Sequence, residues 1–468
     1  MSTLWPASAL TAATGGRITV PFSASGVSID SRTLRPADLF IALVGERSDG
    51  HAYLADALNR EAAGAMVSRI PPGLSEKAPL LVVSDTLAGL ARLGAFARAR
   101  AGARVAAVTG SVGKTTTKEM MRRILSASGP THAARASYNN QWGVPLTLAE
   151  LPPDTAFAVL EIGTNHAGEI APLAALARPH VAIITAVANA HIGHLGSLEA
   201  IADEKAALLA ALEPGGTAVL PADSPFLPRL EVRVPPGCPI VTFGADPRAE
   251  ARLIAVSADG DGSEVTANLS GETIRFRLAA AGQHMALDAL AALAASMALG
   301  LSPHHAADSL AGFAALAGRG ARTAIPLPGG EAILLDESYN ASPASVSAAL
   351  AVLALNGGEG RRVAVLGDML ELGEAAASEH EGLAPALAQS ADLLFACGPQ
   401  MRRLFDLAPA RLRGGYAADA ETLAPMVAAA VAPGDVVLVK GSLGSRMRHV
   451  VAALARARRS ADHERDHG

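Results

Sequence analysis

The chain has 468 residues, half of them apolar, 3% aromatic and 18% charged, with a formal net charge of −5. That length exceeds what one hydrophobic core organises, so two to four domains are the prior and three are expected. The composition excludes a disordered chain. No dense Lys/Arg block precedes the mixed tail Arg456 to His467, which argues against a nucleic-acid partner or an anionic-membrane surface.

Cys238 and Cys397 stand far apart with no metal-spaced partner, so a reducing cytosol is the expected compartment. Met1-Ser-Thr-Leu-Trp-Pro has neither a basic region nor a continuous apolar core and does not read as a signal peptide. The alanine-rich run Leu287 to Leu301 is broken by Asp288 and Gly300 and reads as a core helix, so no membrane insertion is expected.

In chain order, short apolar strands (Val27–Ile29, Leu39–Val44, Ala65–Val67, Leu80–Val83) alternate with helical patterns (His51–Ala62, Leu87–Ala101) over the first hundred residues. They read as a small α/β domain. Asp30-Ser31-Arg32 and the stretch Gly45 to His51 follow strands and are dense in polar donors, which suits either a ligand site or ordinary turn chemistry.

Val105 to Thr109 then reads as a buried strand that breaks into Gly110-Ser111-Val112-Gly113-Lys114-Thr115-Thr116. Met120, Met121, Ile124 and Leu125 recur behind it at helical spacing. A glycine turn at a helix N-terminus turns backbone N–H groups toward an anion, Lys114 adds a point charge, and Thr115 a hydroxyl for Mg²⁺. This is a phosphate-binding loop, shortened because Val108 stands where the usual pattern has a further glycine.

Asn139 and Asn140 follow in a polar loop, Tyr138 to Pro145. Phe157–Leu160 is a buried strand ending in Glu161-Ile-Gly-Thr-Asn165-His166, and Val181–Thr185 is another leading to Asn189-Ala-His191. Strand ends of a parallel sheet share one edge, so Glu161 and His191 are expected to converge with the loop as a magnesium-nucleotide site. Past the cap residue Ser197, Lys205 lies on the apolar stripe of Leu198, Ile201, Leu208, Leu209 and Leu212. It either snorkels or is held near the metal and chemically converted, since a buried ammonium beside Mg²⁺ is doubly unfavourable.

Residues 217–280 carry β patterns (Leu253–Ser257, Glu264–Leu269, Thr273–Leu278) that extend the central sheet, and an alanine-rich helix begins at Gly282-Gln-His284. Gly318-Arg319-Gly320 marks a boundary. Beyond it, strands at Ala332–Leu335, Arg362–Leu366, Leu393–Cys397 and Val436–Val439 predict another parallel α/β unit. Its strand ends carry Asp336 to Pro343 with Tyr339 and Asn340, Gly367 to Gly373, and Lys440-Gly-Ser442. No Gly-x-Gly-x-x-Gly follows its first strand, which disfavours a dinucleotide site.

Taken together, these motifs resemble the Mur ligase family of ATP-dependent amide-forming enzymes of peptidoglycan precursor synthesis, over essentially the whole chain. Thr109-Gly-Ser-Val-Gly-Lys-Thr-Thr is similar to the family's nucleotide loop, and Glu161 and His191 to its metal ligands. Lys205 is similar to the lysine the family carbamylates into an anionic oxygen ligand. Asp30-Ser-Arg32, Asn139-Asn-x-x-Gly-Val-Pro, Glu161 to Ile170 and Gly367-Asp-Met-x-Glu-Leu-Gly resemble the members that add D-alanyl-D-alanine to UDP-N-acetylmuramoyl-tripeptide, and the Asp-Asn-Pro-Arg motif of the preceding ligase is absent.

The resemblance implies an α/β fold of three domains: a UDP-substrate domain at residues 1–102, a central ATP-binding domain at 103–320 and a Rossmann-like domain at 321–468. It implies ATP and Mg²⁺, two small-molecule substrates, a cytoplasmic location and a monomer. By the same implication Gly110 to Thr116, His284, Arg319, Asp336, Tyr339 and Asn340 meet ATP. Ser31, Arg32, Asn139, Asn140, Asn165 and His166 meet the other substrates, with Asn139 or Asn140 alternatively on the ATP phosphates. Thr115, Glu161, His191 and Lys205 hold metal, and Lys114, Glu161, His191 and Lys205 serve catalysis. This chain departs from the family pattern at Met285, Asp288, Ala186 and Ser342, where asparagines are usual. A related ligase adding the third amino acid and a nucleotide-dependent switch without ligation stay open as alternatives, whereas the N-terminal Asp-Ser-Arg region argues against a folate polyglutamylating enzyme.

Overall fold

The computed structural model describes residues 3–45, 48–72, 74, 77–135, 137–189, 192–358 and 360–465. Three sheets succeed one another along the chain. The first holds β1 (Arg17–Ile18), β2 (Gly26–Ser28), β3 (Asp38–Ile41), β4 (Gly64–Val67) and β5 (Leu80–Val82) in the order β1-β5-β4-β3-β2, with only β1 antiparallel. Its helices are α1 (Ala7–Thr14), α2 (Leu54–Asn59) and α3 (Thr86–Arg100).

The central sheet comprises β6 (Arg104–Thr109), β7 (Thr131–Ala133), β8 (Phe157–Glu161), β9 (Val181–Ile184), β10 (Thr217–Pro221), β11 (Ile240–Gly244), β12 (Ala251–Ala258), β13 (Ser263–Leu269) and β14 (Glu272–Leu278). Its order is β14-β13-β12-β11-β10-β9-β6-β8-β7. The expected strands of residues 217–280 do extend it, as an antiparallel wing of β12, β13 and β14. β6 is buried on both faces, as its unbroken apolar run dictates, and lies between β8 and β9. After β6 the chain winds to the β8 side and then returns to β9 on the other. Such a reversal opens a crevice at the strands' carboxyl ends, where ligands bind in open α/β sheets. Val108 pairs with Glu161 and Thr109 with Ile184, so the phosphate-loop turn, Glu161 and the end of β9 leave the sheet at one level.

The last sheet holds β15 (Ala321–Leu327), β16 (Gly330–Glu337), β17 (Arg362–Gly367), β18 (Leu393–Cys397), β19 (Arg413–Ala417) and β20 (Val436–Lys440), ordered β15-β16-β20-β17-β18-β19. It is mixed rather than wholly parallel: β15 is an antiparallel edge strand on β16. Its sequence contains Pro326, which only an edge strand tolerates without losing a ladder bond, and this hid it from the sequence pattern.

The apolar core does not respect the sheets. Trp5, Leu10, Leu90 and Leu93 join Val144, Leu160 and Ile184 in one buried cluster that covers one face of the central sheet. The other face is covered by α4 (Lys114–Ser126) and the helix Gln283–Ala298.

Candidate active site

Gly113 sits immediately before α4 with φ at +83°, a conformation that β-carbons oppose, and no side chain caps the helix. The first-turn N–H groups of α4 are thus left for a ligand, and no acidic residue occupies that turn. A Cβ on Gly110 would fall 1.9 Å from Thr185 Oγ1, and one on Gly113 would fall 2.2 Å from Asp288 Oδ1. Glycine is therefore required twice by close approach. Ser111 locks the loop to the end of β9: its N–H donates to Ala186 O, and its hydroxyl exchanges bonds with Ala188. The Thr185 hydroxyl donates to Val112 O. Lys114 folds back with Nζ 2.6 Å from Gly110 O, its ammonium disfavoured by burial and supported by the Glu161 charge.

Glu161 is 1% exposed. Its Oε2 accepts from Thr115 Oγ1 at 2.8 Å and its Oε1 from Asn139 Nδ2 at 2.8 Å. A buried carboxylate and a hydroxyl beside the loop lysine are hard oxygen donors, and they fit a divalent cation of the Mg²⁺ kind. Among the described residues no group of three or more His, Cys, Asp or Glu forms a ready metal cage. His191 lies outside the described residues.

Lys205 ends α8 (Leu198–Ala206) and is 2% exposed, so the snorkelling alternative is set aside. Burial, with the Lys114 charge acting the same way, brings its amine down to about 7, against the opposing pull of Glu204. A substantial fraction of such an amine is neutral and nucleophilic near neutral pH, unlike an ordinary lysine. Glu204 itself faces the other way, accepting from Gly168 N at 2.7 Å and Ile170 N at 2.8 Å. It thereby ties the Gly163–Glu169 loop to α8. Asn165 and His166 stand on that loop, and Gly163 N donates to Asn139 O on its other flank.

The remaining expected residues fall into two groups. At the junction with the last sheet, Arg319 lies 4.1 Å over the Tyr339 ring and donates to Ser137 Oγ at 3.1 Å, and Ser137 lies 3.4 Å from Thr115 Oγ1. Asp336 accepts from Gly318 N and from Ser338, and Asn340 O accepts from Lys440 Nζ. His284, its ring held against charge by burial, opens the helix that also carries Asp288. In the first region, Arg32 pairs with Asp30 at 2.7 Å and is exposed, whereas Ser31 is buried. Asn140 is exposed, and its Oδ1 accepts from Trp142 N and Gly143 N at the start of α5 (Gly143–Ala149).

The structure thus gathers Gly110–Thr116, Asn139, Glu161 and Arg319 around one crevice, with Lys205 within electrostatic reach of Lys114. It leaves Ser31 and Arg32 on the first sheet. Sequence reasoning missed Ser137, Thr185 and Glu204, which carry no motif. It noted Asp288 as a departure, and the structure places that carboxyl against Gly113, where burial pushes it well above the usual carboxylate range.

Residues 108–296 match the Mur ligase middle domain and residues 328–443 the Mur ligase glutamate ligase domain. The UDP-N-acetylmuramoyl-tripeptide–D-alanyl-D-alanine ligase of Escherichia coli K12 is 36% identical over 440 residues, spanning 92% of this chain and 93% of that protein. The enzyme of the same name from Bacillus subtilis is 32% identical over 433 residues, with the same coverage. Among solved structures, MurF from Acinetobacter baumannii superposes with a TM-score of 0.85 at 30% identity over 96% of this chain and 98% of that one. MurF ligase from Thermotoga maritima, in complex with ADP, gives 0.79 at 25% identity over 93% and 98%.

Proposed function

The chain belongs to the Mur ligase family, and from that premise we propose that it joins D-alanyl-D-alanine to UDP-N-acetylmuramoyl-tripeptide at the expense of ATP. The observation that carries the phosphoryl-transfer half is the uncapped N-terminus of α4, with Lys114 folded over the loop and Thr115 bonded to the buried Glu161. The tripeptide's terminal carboxylate attacks the γ-phosphorus of ATP, giving an acyl phosphate and ADP. The dipeptide amine then attacks the acyl carbon and phosphate leaves. Both steps gather negative charge. The loop N–H groups and Lys114 stabilise it by preorganised dipoles and charge, which is the main service a protein offers such transfers.

Thr115, Glu161, His191 and a carbamylated Lys205 would hold Mg²⁺, whose chemistry is to neutralise the phosphoryl oxygens. The fit rests on the Thr115–Glu161 donor pair and on the buried Lys205 amine, whose neutral fraction adds to carbon dioxide and becomes an anionic oxygen donor. Arg319, Tyr339, Asp336, Asn340 and His284 line the ATP side at the junction, and Asn139 couples the substrate loop to Glu161. Ser31 and Arg32 receive the uridine nucleotide, and Asn165 and His166 the peptide end. We divide the chain at 102 and 320 into uridine-nucleotide, ATP and Rossmann-like domains, working as a cytoplasmic monomer.

A substrate panel tests the reading. With ATP and Mg²⁺, a UDP-muramoyl-dipeptide and UDP-muramoyl-tripeptides ending in meso-diaminopimelate or lysine are each offered D-alanyl-D-alanine or a single D- or L-amino acid, and products are read by mass spectrometry. The pentapeptide nucleotide is expected with the dipeptide alone. A product one residue longer than a dipeptide nucleotide would assign the chain to the preceding step instead.

A further inference from the structure

The dipeptide's amine arrives as an ammonium and must lose a proton before it can attack, so the second half-reaction needs a base at the acceptor side of the crevice. Lys114 is folded back onto Gly110 O, Arg319 is turned to Ser137 Oγ, and the Glu161 carboxylate is committed to Thr115 and Asn139. His166 is differently placed. It stands on the Gly163–Glu169 loop, strapped to Asn139 on one flank and to Glu204, the neighbour of Lys205, on the other. The loop therefore forms the rim of the Glu161 crevice.

The ring is oriented as well as near. Its Nδ1 lies 3.3 Å from Glu169 Oε1, a carboxylate oxygen that can only accept, so Nδ1 is the donor and Nε2 is the nitrogen that accepts in the neutral ring. The other oxygen of Glu169 is fixed by Asn165 N at 2.7 Å, His166 N at 3.2 Å and Thr164 Oγ1 at 3.2 Å. On its other side the ring leans on His194, with centroids 4.9 Å apart. His194 belongs to α7 (Ile192–Leu195), whose Gly193 N donates to Glu371 O of the last region at 3.0 Å. His166 thus packs beside the helix that meets the last region, while 65% of its side chain stays exposed. A carboxylate-aligned imidazole with one free nitrogen is the arrangement of a general base.

Building on the ligase reading above, we propose that His166 is the base that deprotonates the acceptor amine, with Glu169 as its positioning residue. His166 Nε2 takes one proton from the ammonium. The neutral amine forms the C–N bond, the acyl C–O bond breaks, and phosphate departs with its electron pair. The nitrogen's second proton passes to phosphate or water, and the imidazolium returns its own to solvent.

Hydroxylamine tests this, because it is uncharged at neutral pH and attacks an acyl phosphate without a base, giving a hydroxamate and phosphate. The full-length wild type, His166→Gln and His194→Gln are each given ATP, Mg²⁺ and UDP-muramoyl-tripeptide, with either D-alanyl-D-alanine or hydroxylamine as acceptor. His166→Gln is expected to lower the amide-to-hydroxamate rate ratio about 100-fold, the low end of general-base contributions, through kcat for the dipeptide rather than KM. An unchanged ratio, whether both rates fall together or neither falls, overturns the assignment. So does a change confined to the dipeptide KM, or a ratio that falls for His194→Gln but not His166→Gln. If the wild type makes neither hydroxamate nor amide, the ligase reading itself fails and takes this one with it.

Discussion

At the scale of single residues, Lys205 is the most informative position. An apolar stripe with one lysine in it is visible in sequence, because a buried cation violates the pattern around it. Its partner Glu204 is not visible, since an acidic residue on a helix is usually solvated and only the fold reveals its bonds to Gly168 and Ile170. Two outcomes follow from the burial. Lys205→Ala should lose ligation and regain part of it when a short-chain carboxylic acid is supplied in solution; full activity in the unrescued variant contradicts the carbamate role. Lys205→Met should be more stable than wild type in bicarbonate-free buffer at pH 7. The folded amine sits at about 7, below the ordinary lysine value, so the unfolded chain binds the extra proton between those limits and stability rises with pH there. Below that window both states are protonated and the burial penalty is constant. Urea midpoints for the pair should therefore converge toward pH 10, and a gap independent of pH would contradict the assignment.

At the scale of elements, the phosphate loop was legible because strand, turn and helix each follow from local chemistry: an apolar run, two glycines and a helical stripe. The pieces that were not legible share a physical cause. β1 and β7 are only two and three residues long, and β19 contains Gly414 and Gly415. α1 has no side-chain cap and mixes small and hydroxylated residues around a single large apolar one, with Leu10 and Thr14 as its buried positions, so no amphipathic period marks it. Position tests the loop more sharply than propensity. Gly113→Ala must place a β-carbon at φ +83° and 2.2 Å from Asp288 Oδ1. Left-handed backbone alone costs about 1–2 kcal/mol, so ATP should bind about tenfold more weakly or worse. Isothermal titration reads this directly, and wild-type affinity would contradict the close approach.

At the scale of the whole molecule, the three sheets were foreseeable from the rhythm of strands and helices, whereas the shared core of the first two was not. Amphipathic patterning says which face is apolar, not which neighbour covers it. The structure answers with Trp5, fully buried, its indole N–H donating to Ala149 O at 2.9 Å across 144 residues of chain. Trp5→Ala should cost about 3–5 kcal/mol and lower the unfolding transition of the first and central regions together. Separate transitions, read by calorimetry, would contradict one shared core. That arrangement also holds the first region fixed against the phosphate-loop crevice, while the last region meets the central one through Asn189–Glu379 and Gly193–Glu371.

Phosphoryl transfer here serves amide formation and not nucleotide switching. ADP release measured with ATP and Mg²⁺ alone, with each peptide substrate, and with both tests it most directly. Steady turnover is predicted only with UDP-muramoyl-tripeptide and D-alanyl-D-alanine together. Steady release of ADP in the absence of either substrate would contradict it.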